Sequence, residues 1–399
     1  MKILHVIANL SIKSGGPSQA CLHMAAAVAA LGHEVWIYTA NQDVSEETSI
    51  GRDQVEISNG VNIRYFPLNR PRFWGTSWRL GAALCNDIPS FDVVHVHSLY
   101  LFHDWVASRA CLKNDIPYIV RPHGTLDPFL YSRHRFRKRV MEWVFQNKAL
   151  QGAAAIHFTS NDEQELAAQY CFGRPGIIVP NGVELPSETP EVFRSIFFKK
   201  HPELVDARIV LFFGRINFKK GLDILVNAFE KVKAKDAVLL IVGPDNEGYG
   251  KRVRGWVKNL GVGERVIFKG LVAGSEKWEV LSAADIFVLS SYTENFGISV
   301  VEAMGMKIPV VISDKVNIWR EIKAANAGVV VPCDVDATAT AIDNLLLDSD
   351  LASKMGGNGR YEAEKTFNWE TVGAQLEMHY KKLISFRSGS SKVLGVDSQ

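Results

Sequence analysis

Two glutamates separated by seven residues carry the most specific chemical signal in this sequence. Glu294 follows an apolar run, 286–289, that predicts a buried strand, and Glu302 falls about one and a half turns inside the helix predicted next. Glu302 can accept hydrogen bonds from a ribose diol, and Glu294 from a hexose hydroxyl. A carboxylate at a helix start can also serve only as a partner of the helix dipole, and this alternative stays open for Glu294. It fits Glu302 less well, because apolar residues surround that position and a buried carboxylate needs partners.

The residues between the two glutamates add backbone donors to the same segment. Asn295 and Phe296 lead into Gly297 and Ile298, where the predicted helix begins. The N–H groups at positions 296–298 can hold phosphate or sugar oxygens, because the first turn of a helix has no intrahelical acceptors for them. We therefore include these four residues among the predicted ligand-binding positions.

A second segment, 214–221, combines a glycine-flanked turn with two cations. Arg215 stands at the end of the predicted strand 209–213, and Lys220 comes just before a helix that begins near Gly221. A guanidinium fork and an ammonium point charge over a helix N-terminus suit a diphosphate. Two solvated cations on a surface loop would explain the same letters equally well. Lys219, by contrast, is expected to face solvent.

An early glycine turn follows the first predicted strand. Gly15 and Gly16 stand between Ser14 and Pro17, where a helix is expected to open, and glycines there let a phosphate approach the backbone. The turn differs from the Gly-x-Gly-x-x-Gly dinucleotide fingerprint. A plain turn with proline at the first helical position explains it about as well.

A lone histidine, His123, ends a predicted strand and precedes a glycine, a place where ligand-binding residues concentrate, so we favour a functional role for it. Two other groups of residues could suggest a metal, and we assign both a structural role. They are Asp92, His95 and His97 on one strand, and Asp334 with Asp336 beyond the last strand of the second half. We therefore predict no metal, so that the charge of a bound diphosphate would have to be balanced by Arg215, Lys220 and helix N-termini.

A basic run, 133–139, is followed by apolar Val140, Met141, Trp143 and Val144. A solvated helix face is the default interpretation. A peripheral contact with anionic lipid is the alternative that stays open, because basic and apolar side chains together favour a membrane surface.

The elements that position these residues alternate short β-branched runs with helical stretches, which predicts parallel sheets covered by helices on both faces. The first half contains seven such runs, 3–8, 34–39, 62–66, 92–97, 117–121, 154–158 and 176–179, and the second half six, 209–213, 238–242, 266–268, 286–289, 309–312 and 329–331. Turn-forming residues at 180–190 indicate the interdomain linker. Two terminal helices are predicted at about 350–366 and 369–386, followed by a disordered tail at 387–399. Two facing domains of this kind would place their strand ends on a shared cleft.

Length and composition agree with two domains in a chain of 399 residues. The net charge of +2, from 45 Lys+Arg and 43 Asp+Glu, argues against a general nucleic-acid binder. Five scattered cysteines without a Cys-x-x-Cys pair argue against a disulfide frame or a zinc site. The start of the sequence lacks the pattern of a signal peptide, and no run reaches the ~18 apolar residues that span a bilayer. We expect a cytoplasmic protein, with peripheral contact at the inner membrane face as the open alternative.

At these motifs the sequence resembles the family 4 retaining glycosyltransferases of the GT-B fold. The resemblance covers nearly the whole chain, and its motifs occur in the family's order: the early glycine loop, 121–124, 180–183, Gly214-Arg215 with Lys220-Gly221, and the Glu-x7-Glu segment. It implies a first Rossmann-like domain at 1–182, to which a final helix at 367–386 returns, and a donor-binding domain at 183–366. Asn295 and the segment 305–309 depart from the family's common residues, which bears on the choice of sugar.

The resemblance also implies roles for single residues. Gly16, Arg215 and Lys220 would bind the donor diphosphate. Glu302 would bind the ribose and Glu294 the donor sugar. His123 would lie beside the transferred sugar, and Gly270 with Leu271 would hold the base. The predicted catalytic residues are thus His123, Glu294, Arg215 and Lys220.

The activity implied by the resemblance is hexosyl transfer with retention of configuration, from a nucleotide diphosphate sugar to a carbohydrate or lipid-linked acceptor. UDP-glucose is favoured as donor and GDP-mannose is the competitor. The substrate nucleotide is the only small molecule expected, with no separate cofactor. A nucleotide-sugar epimerase and a non-catalytic regulatory module remain as alternative functions.

Overall fold

The computed structural model describes residues 1–10, 16–41, 55–131 and 135–393. The chain forms two compact units, the first from Met1–Gly182 with the chain from Trp369 onward, and the second from Val183–Asn368. The observed division after Gly182 falls where the sequence places the linker. The return to the first unit occurs at Trp369, two residues later than expected from the sequence.

The first unit contains one eight-stranded sheet in the order β3-β4-β2-β1-β5-β6-β7-β8. Its strands are β1 (Lys2–Ile7), β2 (Glu34–Asn41), β3 (Val55–Ser58), β4 (Val61–Pro67), β5 (Val93–His97), β6 (Tyr118–Arg121), β7 (Ala155–Phe158) and β8 (Gly176–Ile178). All neighbours pair in parallel except β3 with β4. The seven predicted strands are confirmed.

The strand β3 was missed by the sequence analysis. It pairs antiparallel with β4 through the turn Asn59-Gly60, where both residues have positive φ, 48° and 76°. An Asn-Gly pair between two β-rich runs is the strongest short-range signal of a hairpin, so the sequence did carry the information.

Helices pack against both faces of this sheet, because both faces are apolar and must be shielded from water. The helices before the second unit are α1 (Gly16–Ala29), α2 (Trp78–Asp87), α3 (Phe102–Lys113), α4 (Pro128–Tyr131), α5 (Arg135–Met141), α6 (Asn147–Gly152) and α7 (Asn161–Ala167), with a π-helix at Glu142–Gln146. Met24 and Val28 of α1 pack on one face of the sheet, and Ala107 and Cys111 of α3 pack on the other. This arrangement confirms the predicted doubly wound architecture.

The second unit contains a six-stranded parallel sheet in the order β11-β10-β9-β12-β13-β14. Its strands are β9 (Arg208–Phe213), β10 (Ala237–Val242), β11 (Val266–Lys269), β12 (Ile286–Leu289), β13 (Val310–Ser313) and β14 (Gly328–Val331). The strand order reverses between β9 and β12, which become neighbours at the centre of the sheet. In open α/β sheets, ligands bind outside the carboxyl ends of the strands at such a reversal.

The helices of the second unit lie between its strands and after them. They are α8 (Pro190–Lys200), α9 (Leu222–Lys231), α10 (Gly250–Asn259), α11 (Ser275–Ala283), α12 (Ile298–Gly305), α13 (Trp319–Ala324), α14 (Val335–Leu347) and α15 (Ser349–Lys365). None of the helices in the described part of the chain is long and apolar enough to cross a membrane.

The final helix, α16 (Trp369–Val393), is longer than predicted. Val372, Leu376 and Tyr380 are completely buried in the core of the first unit, at the spacing of one helix face. The helix continues through 387–393, so the prediction of disorder is wrong for these residues, and 394–399 lie outside the described residues. Extending a helix that packing has already formed costs far less than starting one, and even residues of low helix propensity can therefore continue it.

Candidate active site

Lys220 and Glu294 form an ion pair at the carboxyl ends of the two central strands of the second unit. Lys220 lies on the loop after β9 and Glu294 on the loop after β12. The side chains are 15% and 21% exposed, so the pair is largely shielded from water. An ammonium group has three N–H donors, and Glu294 engages one side of it. A ligand with anionic oxygens could therefore bind Lys220 without first breaking this pair.

Two further contacts fix these loops against each other. The backbone N–H of Tyr292 donates to the carbonyl oxygen of Lys219 at 2.8 Å. Gly221 has φ 64°, and a Cβ atom built on it would lie 1.8 Å from the carbonyl oxygen of Ser290. Only glycine allows this approach, because any side chain would overlap the backbone of the other loop. Gly221 thus allows the loop that carries Lys220 to come close to the loop that carries Glu294.

Replacement of Gly221 by alanine is expected to lower the free energy of unfolding by about 2–5 kcal/mol, through the left-handed conformation and the overlap with Ser290. Urea denaturation followed by tryptophan fluorescence measures this change. Gly255→Ala is the matched control, since Gly255 lies inside α10 and an added Cβ would have no atom within 4 Å. The control should gain about 0.5–1 kcal/mol. Equal stability of the two variants would contradict the proposed close approach.

The backbone around Arg215 is held by hydrogen bonds, whereas its side chain is exposed to solvent. The N–H groups of its neighbours Gly214 and Ile216 donate to the carbonyl oxygens of Val242 and Pro244, each at 2.9 Å. The guanidinium is exposed and makes no hydrogen bond or ion pair with any residue that the structure describes. A cation held at a strand end with its donors free is suited to bind an anionic ligand.

The segment 294–298 is held at both ends. The N–H of Glu294 donates to the carbonyl oxygen of Lys315 at 3.0 Å, and its own carbonyl accepts from Asn317 at 2.9 Å. Phe296 is buried against Phe367 in the core of the second unit, so its ring is not open to a ligand. Gly297 has φ 78° and precedes α12, whose first N–H groups have no intrahelical acceptors. This geometry agrees with the predicted role of the helix start.

Glu302 lies on α12 with its side chain 13% exposed, and its Oε1 accepts from Lys277 Nζ at 2.8 Å. Burial raises the pKa of this carboxyl group, and the charge of Lys277 opposes that effect. The sequence predicts that this carboxylate needs a partner, but it does not identify Lys277, which comes from α11. The ion pair satisfies part of the carboxylate's hydrogen-bonding capacity and leaves acceptor positions for a diol.

Glu302→Gln is expected to weaken nucleoside diphosphate binding tenfold or more, because hydrogen bonds to a charged group contribute about 1.5–3 kcal/mol. Isothermal titration with a nucleoside diphosphate and its 2′,3′-dideoxy analogue measures the effect. The dideoxy analogue should bind the variant and the unaltered protein about equally. Glu279→Gln is the matched control, since Glu279 is also buried on the same unit and bonds Lys200 at 2.7 Å. A full loss with the dideoxy analogue would show that Glu302 does not contact the ribose.

The other predicted donor-binding residues of this unit occupy the same edge of the sheet. Gly270 and Leu271 follow β11, and the carbonyl oxygen of Gly270 accepts from the N–H of Gly243 at 3.1 Å. Leu271 is exposed, as a residue that covers a ligand's base would be before binding. The structure thus places the loops with Arg215, Lys220, Glu294 and Gly270 at the carboxyl ends of one sheet, and their binding roles stay predictions.

In the first unit, His123 directly follows Pro122 at the end of β6 and has φ 52°. Ser98 and Tyr100, on the loop after the adjacent β5, also have positive φ. Residues other than glycine rarely adopt this conformation, and such strained residues cluster at functional sites. Gly16 begins α1, and an added Cβ would meet no atom within 4 Å, so packing does not require the glycine. Gly15 lies outside the described residues.

Two residues of the sequence motifs, Arg121 and Asn181, form a buried hydrogen bond next to the backbone that carries His123. The Arg121 guanidinium is buried and donates to Asn181 Oδ1 at 2.8 Å. Burial lowers the pKa of Arg121 to about 10 and raises that of the nearby Glu163. Glu163 accepts from the N–H groups of Gly124 and Thr159, at 2.9 and 2.7 Å. These buried contacts fix the backbone that carries His123.

In each of the two groups of residues considered for a metal, the side chains contact different partners and do not form a common metal site. Asp92 accepts from the N–H of Lys2, while His95 contacts Tyr380. Asp334 caps α14 and Asp336 pairs with Lys231.

Among the described residues, the group with ligand atoms close enough for a metal consists of buried His5, Cys21 and His97. Burial, together with the charge of Arg121, lowers the pKa of His5, and burial raises the pKa of the Cys21 thiol. A neutral thiol beside a buried guanidinium fits a metal cation poorly.

Comparison with solved structures identifies the fold. The structure superimposes on the Anabaena protein HepE in complex with UDP and glucose with a TM-score of 0.76 and 19% identity, over 96% of this chain and 100% of that one. Sucrose-phosphate synthase from Thermosynechococcus elongatus gives 0.75 at 21% identity, with the same coverage. The two Rossmann-like units therefore have the GT-B fold of glycosyltransferases.

Comparison with family models identifies the family. Residues 193–362 match the model of glycosyl transferases group 1, and residues 15–182 match that of the glycosyl transferase 4-like domain. The chain belongs to the group 1 glycosyltransferases, which act on nucleotide sugars. A GDP-mannose:cellobiosyl-diphosphopolyprenol alpha-mannosyltransferase of Xanthomonas campestris is 24% identical over 96% of this chain and 97% of its own length.

Proposed function

We propose that this protein transfers a hexose from a nucleotide diphosphate sugar to a glycan or lipid-linked acceptor, with retention of configuration and without a metal ion. The observation that carries the proposal is the arrangement at the strand reversal of the second unit. There the open Arg215 guanidinium and the Lys220–Glu294 pair flank the ends of β9 and β12. A diphosphate needs fixed positive charge and a sugar needs fixed acceptors, and these residues provide both.

The proposed chemistry gives each of these residues one task. Arg215 and Lys220 stabilise the negative charge that grows on the diphosphate as the bond to the sugar breaks. Glu294 accepts a hydrogen bond from a sugar hydroxyl and orients the donor. His123 donates a hydrogen bond to the sugar. The departing phosphate oxygen takes the proton from the acceptor hydroxyl, which attacks from the same face, so that configuration is retained.

For the donor we propose UDP-glucose first and GDP-mannose second. The similar fold of HepE, which was solved with UDP and glucose bound, supports UDP-glucose, and the mannosyltransferase of Xanthomonas supports GDP-mannose. The diphosphopolyprenol acceptor of that mannosyltransferase supports a lipid-linked acceptor here.

A panel of nucleotides and nucleotide sugars in a thermal-shift assay tests the donor. A ligand at about 100 times its dissociation constant stabilises the folded protein by ~2.7 kcal/mol. We expect the nucleoside diphosphate of the true donor to shift the melting temperature more than the monophosphate does.

Hydrolysis of the same donor without acceptor would exclude a regulatory module. Release of an epimerised nucleotide sugar would support an epimerase instead, and no stabilisation by any nucleotide would contradict the proposal.

Activity is expected to remain within about twofold after EDTA treatment, because cationic side chains take the place of a metal at the leaving group. The measurement compares turnover before and after chelation, with magnesium or manganese added back. Loss of activity that either metal restores would contradict the metal-free mechanism.

We propose that the surface around Trp143 contacts anionic membranes. Trp143 is 86% exposed, and Val140 and Val144 beside it are also exposed, next to Lys138 and Arg139. Arg133 and His134 of the predicted basic run lie outside the described residues. Binding to anionic vesicles that falls with salt, and that is lost when Arg135, Arg137, Lys138 and Arg139 become Glu, would support this contact. No binding at low salt would indicate a soluble acceptor.

A further inference from the structure

Five histidines lie together in the first unit, on three strands and the loop after β6. They are His5, His95, His97, His123 and His157. All are completely buried except His123, which is partly exposed. Burial lowers the pKa of each, and the charge of Arg121 lowers them further, so the imidazoles are neutral. A neutral imidazole carries one proton, and its two nitrogens therefore differ: one donates and the other accepts.

One branch of this cluster consists of His157 and His95, and hydrogen bonds determine the tautomer of each ring. His157 Nε2 lies 2.8 Å from the carbonyl oxygen of Val179, which can only accept, so the proton of His157 is on Nε2. Its Nδ1 must then accept from His95 Nε2–H at 3.2 Å. This leaves His95 Nδ1 to accept from the hydroxyl of Tyr380 at 2.7 Å. Every nitrogen in this branch has a partner.

The other branch is a line of three rings that ends at His123. His5 Nδ1 lies 3.0 Å from His97 Nε2, and His97 Nδ1 lies 3.0 Å from His123 Nε2. His103 donates to the carbonyl oxygen of His97 at 2.6 Å and fixes the end of β5. The Nδ1 atom of His123 makes no hydrogen bond with the described residues. It is the nitrogen that remains for a ligand.

Neutral rings in such a line can hold their protons in two ways. If the protons point towards His123, each ring donates through Nδ1, and His5 Nε2 is a bare acceptor. If they point away from it, each ring donates through Nε2, and His5 carries an Nε2–H bond. His5 Nε2 is buried and has no hydrogen-bond partner in the described part of the chain. A buried N–H without a partner is rarer than an unpaired acceptor. This favours protons that point towards His123.

We propose that His97 and His5 are positioning residues that hold His123 as its Nδ1–H tautomer. His123 is then a hydrogen-bond donor towards its substrate, and not a base. The inference rests on the proposed glycosyl transfer for the identity of the oxygen that His123 contacts, which is an oxygen of the donor sugar. The tautomer itself depends only on the structure of the first unit.

The tautomer can be measured directly in the substrate-free protein. Nitrogen-15 labelling of the 11 histidines, with two-bond nitrogen–hydrogen correlation spectra, distinguishes Nδ1–H from Nε2–H rings. The spectrum of His123→Asn identifies the signals of His123. We expect an Nδ1–H ring at His123 in the unaltered protein. An Nε2–H ring there would overturn the proposal, whatever the activity.

Variants separate positioning from simple structural support. His97→Leu removes the donor to His123, and His97→Asn retains an amide donor near the position of Nδ1. We expect His97→Leu to lower kcat about tenfold with a donor KM within about twofold, and to change the tautomer population of His123. His97→Asn should restore most of kcat and the Nδ1–H ring. A lowered kcat in His97→Leu with an unchanged His123 tautomer would overturn the positioning role.

Tyr380→Phe is the matched control, because it removes a hydrogen bond from the same cluster but from the branch of His95. It should leave kcat and the His123 tautomer unchanged, and a change in that tautomer would overturn the assignment of two separate branches. If His97→Leu does not fold, the spectrum of the unaltered protein still decides the tautomer. If no nucleotide sugar is turned over at all, the proposed function fails, while the spectrum still tests the inference.

Discussion

Replacement of Lys220 by methionine is expected to lower turnover by about two orders of magnitude, comparable to the loss of other preorganised charge stabilisers. The ammonium group that should stabilise the leaving diphosphate is removed, and the carboxylate of Glu294, 21% exposed, is left without its cation. Initial rates with saturating donor and acceptor measure the effect. Affinity for a nucleoside monophosphate should fall less than affinity for the diphosphate.

Lys219→Met is the control for Lys220→Met, because it removes the neighbouring cation and is expected to keep full activity. The double variant Lys220→Met with Glu294→Gln separates the two consequences of the change. If repulsion by the unpaired Glu294 weakens diphosphate binding, the double variant should bind the diphosphate more tightly than Lys220→Met does. Diphosphate binding by Lys220→Met at the affinity of the unaltered protein would show that Lys220 does not contact the phosphates.

His123→Asn is expected to lower turnover by about two orders of magnitude, because asparagine has no atom at the position of Nε2 and its amide donor is no longer held in place by His97. Asparagine tolerates a backbone with φ near the observed 52° better than most residues, so the loss should come from the missing imidazole. Steady-state kinetics and a thermal melt of the same preparation measure both quantities. Phe172→Asn is the control, because Phe172 has the same φ of 52°, is exposed and has no predicted role. Full activity of His123→Asn would remove His123 from the mechanism.

The predictions from the sequence were most accurate where the signal is local. The periods of the apolar residues indicated all thirteen predicted strands and the doubly wound class, because burial on both faces produces short, continuous apolar runs. The same local signals placed Arg215 at the end of β9, Lys220 just before α9, Glu294 on the loop after β12 and Glu302 inside α12. The strand β3 and the end of α16 were missed. For β3, the sequence contains a recognisable Asn-Gly turn. The extension of α16 depends on the packing of the earlier part of the helix, which a segment rich in Ser and Gly does not reveal.

The partners of the site residues could not be predicted in this way. Glu294 pairs with a lysine 74 residues earlier in the chain, and Glu302 with one 25 residues earlier. The first pair forms because β9 and β12 are neighbours, and that depends on the order in which the strands enter the sheet. The second forms because α11 and α12 are in contact. Gly221 illustrates the limit. The sequence shows a glycine before a helix, but only the structure shows that the carbonyl oxygen of Ser290 occupies the place of its Cβ.

The order of the amino acids was sufficient for the class of fold, the family resemblance and the residues that could bind a nucleotide sugar, because these depend on local periodicity and on motifs in a fixed order. Which charges are paired and which are open to a ligand became visible only in the folded chain. Folding also brings His5 and His97 together behind His123, although 92 positions separate the first two in the sequence. Hydrogen-bond partners and burial depend on distances in space, and the chain sets these only when its parallel strands have found their neighbours.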